Sequence, residues 1–461
     1  MKRFLALITL IVSASLQTAS AQQAPVDIAQ QYLDFMSRTS AQSELIWPGF
    51  RLEDKVHIFS MENTAWLQKP YGQITQDDST LSSFNNQTAS ALSVEFTEYQ
   101  GAPAILLELN ETDTVLESDA ISDVGLLTWA GTSIYEAFHF YEQSEWAILE
   151  QQVQLAGEVY PLSINARFAR EQLFQQLLLA LTNTEQRSYH LGLSSFWLQR
   201  WRTIAPLEDQ VGFANDLIEG SAAYVALMSG IKLAQSTASI DDKLTVQHQF
   251  VQRYYQQAHR LGWDAEAQGI GALAGLLLDA IQGPVRWKEA AEDGVLPLDM
   301  LLGQVASITP VMREEADTML KIKQQFAYYP ETNKVLTKLL SDVDDTRLPL
   351  LVLPSINDAA VFLDTDKIRS GFYIAPYQDG VVQAYIGVNT QLDNLNFTNA
   401  NVIDIGAQSL CDGLENATLV PVTGLYHVEA GYLVMEQGDV QGMIRVIPTQ
   451  VDDRTLFCAV L

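Results

Sequence analysis

Along the chain the pattern of apolar and polar positions changes period twice, and the changes divide it into three stretches. Residues 22–123 read as strand-rich. They open with an amphipathic helix over 25–38, apolar at Ile28, Tyr32, Leu33 and Phe35. Strands follow at 55–60 and 104–109, separated by a Ser-, Asn- and Asp-rich loop over 75–89. Residues 124–340 take a helical period. The segments 125–152, 166–181, 189–204, 209–229, 241–261, 265–281 and 310–326 predict about seven helices, with 166–181 a clear amphipathic one. From 347 to 461 the runs become short, β-branched or aromatic, and bounded by Gly, Asp or Asn: 348–353, 372–375, 381–386, 401–405, 431–435 and 443–447. The predicted class is α+β, with a mixed N-terminal domain, a helical core and a small C-terminal β domain.

The first residues belong to none of these. Lys2 and Arg3 precede an apolar run over 4–12, and Ala19-Ser20-Ala21 has the form of a cleavage site. This predicts a signal peptide over 1–21 and export to the periplasm or beyond. No later apolar run reaches the ~18 residues of a membrane span. The two cysteines, Cys411 and Cys458, both fall in the β domain. In an exported chain they are expected to pair, with a stabilisation of about 4 kcal/mol. Lys and Arg number 27 against 56 Asp and Glu, a net charge of −29. Such a surface repels phosphate backbones and anionic lipid, so neither nucleic acid nor a membrane is an expected partner.

One segment carries the pattern of a chemical site: Gly131-Thr-Ser-Ile-Tyr135-Glu136-Ala-Phe-His139-Phe-Tyr141. It is one substitution short of H-E-x-x-H, with Tyr135 where the first His would stand. In the full motif two imidazoles at i and i+4 share a helix face and hold zinc, and the Glu acts on the metal-bound water. A second segment, Glu219-Gly220-Ser-Ala222-Ala-Tyr224, also falls on a predicted helix. Together the two segments resemble the gluzincin zinc metallopeptidases, over residues 131–230. Ile46-Trp-Pro-Gly-Phe50 is similar to the domain that precedes such helices in exported bacterial relatives of that family. The resemblance implies a gluzincin-like helical domain over 124–340. It implies His139 and Glu219 as metal ligands, with Tyr135 in the position of the missing one. Glu136 becomes the general base and Tyr224 a donor to the oxyanion. Gly220 and Ala222 become the small residues that let helices approach. Because a phenol with a reference pKa near 10 replaces an imidazole, the resemblance implies weak zinc binding or none. Peptide-bond hydrolysis is the activity of an intact site, and peptide or protein binding without hydrolysis that of a degenerate one.

Other features read as structural. His57 alternates with apolar neighbours and is expected to pack. His190, His248, His259 and His427 have no ligand partner at motif spacing. Gly269-Ile-Gly271-Ala-Leu-Ala-Gly275 lacks the preceding strand and the spacing of a nucleotide loop, so it predicts a small-residue helix face. The acidic runs 342–345 and 364–366 lack the Gly and Glu of an EF-hand loop and read as solvated turns.

Overall fold

The computed structural model describes residues 25–61, 64–70, 72, 74–76, 92–109, 123–146, 157–236, 238–239, 242–258, 263–310, 316–355, 371–378, 380–405, 410–411 and 416–460. The expected signal peptide, most of the loop over 75–89, His259 and the acidic run 364–366 lie outside the described residues. The chain is α+β, and its contacts divide it into two compact units. The first takes residues up to 152, 169–204 and 209–312; the second takes 153–168, 205–208 and 313–461.

The first unit begins with helices α1 (Pro25–Ser40) and α2 (Ser43–Ile46), then strands β1 (Val56–Met61), β2 (Thr64–Gln68), β3 (Ile74–Gln76), β4 (Leu92–Tyr99) and β5 (Ala102–Leu109). The strands form one sheet in the order β3-β2-β1-β5-β4, with β1 and β5 parallel and the other pairs antiparallel. All six residues of β1 are buried, including His57 and Ser60, as a central strand covered on both faces requires. His57 lies 2.9 Å from the Ser40 hydroxyl and is the packing residue its alternation predicts. Helix α1 covers β1 and β2, and it meets α3 (Asp123–Tyr141), which covers β4 and β5. The Tyr32 hydroxyl, on α1, donates to Ser133 on α3 at 2.9 Å. The N-terminal sheet and α1 and α3 therefore share one layered core.

The helical part comprises α4 (Ile164–Thr182), α5 (Arg187–Ile204), α6 (Pro206–Gln235), α7 (Lys243–Ala258), α8 (Trp263–Gln282), α9 (Arg286–Glu292) and α10 (Pro297–Leu302). Helix α4 departs from its predicted amphipathic form: residues 166–171 are buried without a break, Arg167, Arg170 and Glu171 among them. Charge enters this core because it is paired. Arg170 donates to both carboxylate oxygens of Asp216, one at 2.7 Å, and lies 3.7 Å from Glu266. Within α6, residues 215–235 are long and apolar enough to cross a membrane by length and composition, which the expectation from the sequence did not include. Two-thirds of that stretch, 67%, is buried inside the fold.

The second unit holds β6 (Glu158–Val159), α11 (Ala316–Gln325), α12 (Tyr329–Asp344), β7 (Leu350–Pro354), β8 (Gly371–Tyr377), β9 (Gly380–Leu392), β10 (Leu395–Ile405), β11 (Ala417–Pro421), β12 (Tyr426–Glu429), β13 (Tyr432–Met435), β14 (Val440–Val451) and β15 (Arg454–Ala459). These strands make a ten-stranded sheet, β12-β13-β14-β15-β7-β11-β10-β9-β8-β6. An additional pairing of β14 with β10 curls it around a core that includes Leu353, Val402, Leu433, Ile444 and Phe457. Helix α12 packs on β9 and β11. The expected disulfide joins Cys411 to Cys458, with Cα atoms 5.8 Å apart. Such a bridge is compatible with an exported protein.

Candidate functional site

Residues 131, 135 and 139 of α3 follow one another at i, i+4 spacing and share a face. That face is half-exposed at Gly131, Tyr135, Glu136 and His139, whereas residues 132–134, 137 and 138 are buried. A Cβ added to Gly131 would meet nothing within 4 Å among the described residues, so among these the face is open beside Tyr135.

Glu219 arrives from α6. The Tyr135 hydroxyl donates a short hydrogen bond to its Oε2. Nε2 of His139 lies 3.8 Å from the same oxygen, and the rings of Tyr135 and His139 meet edge to face at 4.5 Å. The structure thus brings together Tyr135, His139 and Glu219, three of the residues named from the two sequence segments. Burial pushes the His139 imidazole down to about 4, against a smaller opposing contact from Gln143. Burial also raises the Glu136 carboxyl, one residue along the helix from Tyr135.

Two further residues complete the cluster, and no motif marks them in the sequence. Gln268 of α8 donates from Nε2 to the Tyr135 oxygen at 3.0 Å. Gln143, just after α3, donates to the Ile218 carbonyl at 2.9 Å and ties the end of α3 to the turn that carries Glu219. Gln268 reaches the site because α6 and α8 touch. A Cβ on Gly271 would lie 2.4 Å from the Gly220 Cα and 2.6 Å from the Asp216 carbonyl. The small-residue face predicted for 269–275 is the one that makes this contact. The signal that points to Gln268 is its place on α8, three residues ahead of Gly271.

Tyr224, expected as an oxyanion donor, lies apart from this cluster. Its side chain is fully buried, and its hydroxyl donates to Asp279 at 2.6 Å. Burial, and then Asp279, hold the phenol well above its ordinary value. Trp287 donates to the other Asp279 oxygen at 2.7 Å. Lys288 lies 5.1 Å from the centre of the Tyr224 ring and donates to the Ile46 carbonyl at 2.6 Å. Trp47 meets Phe138, Trp146, Tyr224 and Trp287. The segment Ile46–Phe50 thus serves as a packing hub.

The donor set can be tested against zinc. His139 and Glu219 stand at a separation that two bonds of about 2 Å each can span. The third donor is a phenol whose proton is already directed at Glu219, and it would have to be lost before the oxygen could bind a cation. Among the described residues no group of three or more His, Cys, Asp or Glu side chains is placed to hold a metal ion. Toward a set of three protein ligands the cluster offers His139, Glu219 and, in the third place, a phenol. No protein-family model, no curated protein and no solved structure matches this chain.

Proposed function

We propose that the chain is an exported, gluzincin-like protein with a degenerate metal position, and that it binds peptide or protein segments without hydrolysing them. The observation that carries this reading is the hydrogen bond from Tyr135 to Glu219. It sets a protonated phenol against the carboxylate that the family resemblance gives to the metal, and Gln268 holds the phenol there from the other side. The half-exposed stripe of α3 and the open space over Gly131 supply a surface for an extended segment. Glu136 and His139 lie on that stripe and offer a hydrogen-bond acceptor and a neutral imidazole to a bound main chain.

Three measurements test the reading together. Elemental analysis of the dialysed protein is expected to find well under one equivalent of zinc. Tyr135→His is expected to raise zinc affinity, and only while Glu219 is present. A panel of peptides is expected to bind with no new termini detected by mass spectrometry. A full equivalent of zinc, with cleavage products that vanish in Glu136→Gln, would overturn the proposal in favour of an active metallopeptidase.

A further inference from the structure

The last strand of the ten-stranded sheet, β12, bonds among the described residues to β13 alone, and all four of its residues are exposed. The hairpin turns through Ala430 and Gly431, both at positive φ, 50° and 81°, as a tight two-residue turn requires. Glu429 opposes Tyr432 across that turn, and the Leu425 carbonyl accepts from the Glu436 amide at 3.0 Å. In an antiparallel ladder alternate residues bond to the neighbour. Leu425, His427 and Glu429 therefore face β13, while Tyr426 and Val428 turn their N–H and C=O groups to the open edge.

The same two residues expose apolar side chains. Tyr426 and Val428 pair with Met435 and Leu433, both in the sheet core, so their side chains lie on the core face. Tyr426 packs edge-on against Phe457 at 5.7 Å, yet it is 40% exposed and Val428 is 45% exposed. The core row runs out uncovered where the main chain is also unpaired. No Lys or Pro stands in β12 to guard it.

We infer that this edge takes an extended segment of another polypeptide, with apolar side chains at alternate positions and a basic residue between them. Open main-chain donors and acceptors select a strand, because a helix has none to give. Tyr426 and Val428 select the apolar side chains. On the opposite face His427 lies 3.8 Å from Glu429 and 3.4 Å from Glu436, both well exposed, and these carboxylates select the basic one. A cavity of about 240 Å³ adjoins the start of the edge, lined in part by Val422, Leu425, Met435 and Asp439, with room for a terminal side chain. A second copy of the chain is the poorer occupant. It brings a net charge of −29 to an acidic face, and pairing through Tyr426 and Val428 sets His427 against its own counterpart.

The test uses the full mature chain and a fluorescent peptide of alternating valine and lysine, read by anisotropy at physiological ionic strength. The control peptide has the same composition with a central proline. Val428→Pro removes an N–H that faces the open edge and leaves the bonds to β13 in place. It is expected to weaken binding about tenfold or more, and Glu429→Lys to weaken it by a smaller factor. Val428→Lys serves as the second variant if the proline disturbs folding, with circular dichroism as the check. Equal binding of the control peptide, or of the Val428 variants, would mean nonspecific attraction to an acidic protein and overturn the proposal. Absence of binding overturns it too. So does a dimer seen by sedimentation that the Val428 variants dissociate, which would make a second copy the occupant.

Discussion

Along the seam between α6 and α8, two polar clusters stand on either side of the Gly220–Gly271 contact. One joins Glu219 and Gln268 to Tyr135; the other joins Tyr224 to Asp279, with Trp287 and Lys288. Each is built on a tyrosine that donates to a carboxylate. In the second the tyrosine is closed off: Tyr224 is fully buried, and both oxygens of the half-exposed Asp279 accept from indole or phenol. The first is open: Tyr135, Glu136 and His139 reach solvent, and neighbouring groups are held away from their ordinary protonation behaviour. A closed polar cluster stiffens a core. An open one, set over free space with a carboxyl raised and an imidazole lowered, is where binding or chemistry is to be sought.

The seam itself is the place to break both at once. Gly271→Ala puts a methyl group 2.4 Å from the Gly220 Cα, against main chain that cannot rotate aside. The helices must part, and a loss of about 3 kcal/mol is expected in urea unfolding. Wild-type stability in this variant would show that the two helices are not in contact. Next in size is Asp279→Ala, which takes the acceptor from the buried Tyr224 hydroxyl and Trp287 N–H, so that water can replace it only from the half-exposed side of Asp279. The expected loss is about 2 kcal/mol. If the closed cluster is structural alone, peptide binding at the α3 stripe should survive in the folded fraction.

The sequence discloses the two clusters unequally, and the reason is physical. Tyr135 and His139 are legible because helix geometry alone puts i and i+4 on one side, and Glu219 because it precedes a small residue in a helical run. Gln268 and Gln143 are not legible. Their roles come from the distance between helices, which Gly220 and Gly271 set across 50 intervening positions in the chain. Tyr224 reads as a site residue, yet the aromatic surface around Trp47 draws it inward. In the second unit the long strands are marked by their β-branched runs, whereas β12 escapes notice because its four residues, Tyr-His-Val-Glu, alternate too briefly. Helix α12 escapes for a related reason, since it begins at Tyr329-Pro330, where proline fits the first turn but looks like a break.

Protonation separates the clusters further. The His139 imidazole titrates near 4 in the fold and near 6.5 unfolded. Between those values the unfolded chain binds the proton and the folded one does not, so this residue makes stability fall as pH drops through that window. From pH 7 to pH 5 the loss is about 1–2 kcal/mol, and His139→Gln should remove that share of it. Lys288 behaves oppositely in range. Burial lowers it to about 8, so its contribution improves as pH rises from there toward its ordinary value. Melting curves at acid, neutral and alkaline pH for the wild type, His139→Gln and Lys288→Met test both. An unchanged acid slope in His139→Gln would mean that the imidazole is not held neutral by its surroundings.

The smallest effect makes the sharpest comparison, because it deletes the same atom from each cluster. Tyr224→Phe removes a hydroxyl that donates to Asp279 in the closed hub, and a loss of about 2 kcal/mol is expected. Tyr135→Phe removes the hydroxyl that donates to Glu219. Here His139 still stands 3.8 Å from the freed oxygen, and its half-exposed side leaves water a route to the carboxylate. The expected loss is therefore about 1 kcal/mol or less. The functional readout should run the other way. With the phenol proton gone from Glu219, Tyr135→Phe should still bind zinc more weakly than Tyr135→His, which supplies a third ligand, and Tyr224→Phe should leave metal binding untouched. Equal losses of stability from the two substitutions would erase the distinction between open and closed. A gain of zinc binding in Tyr135→Phe equal to that in Tyr135→His would show that the phenol merely blocked the position, and that two protein ligands suffice.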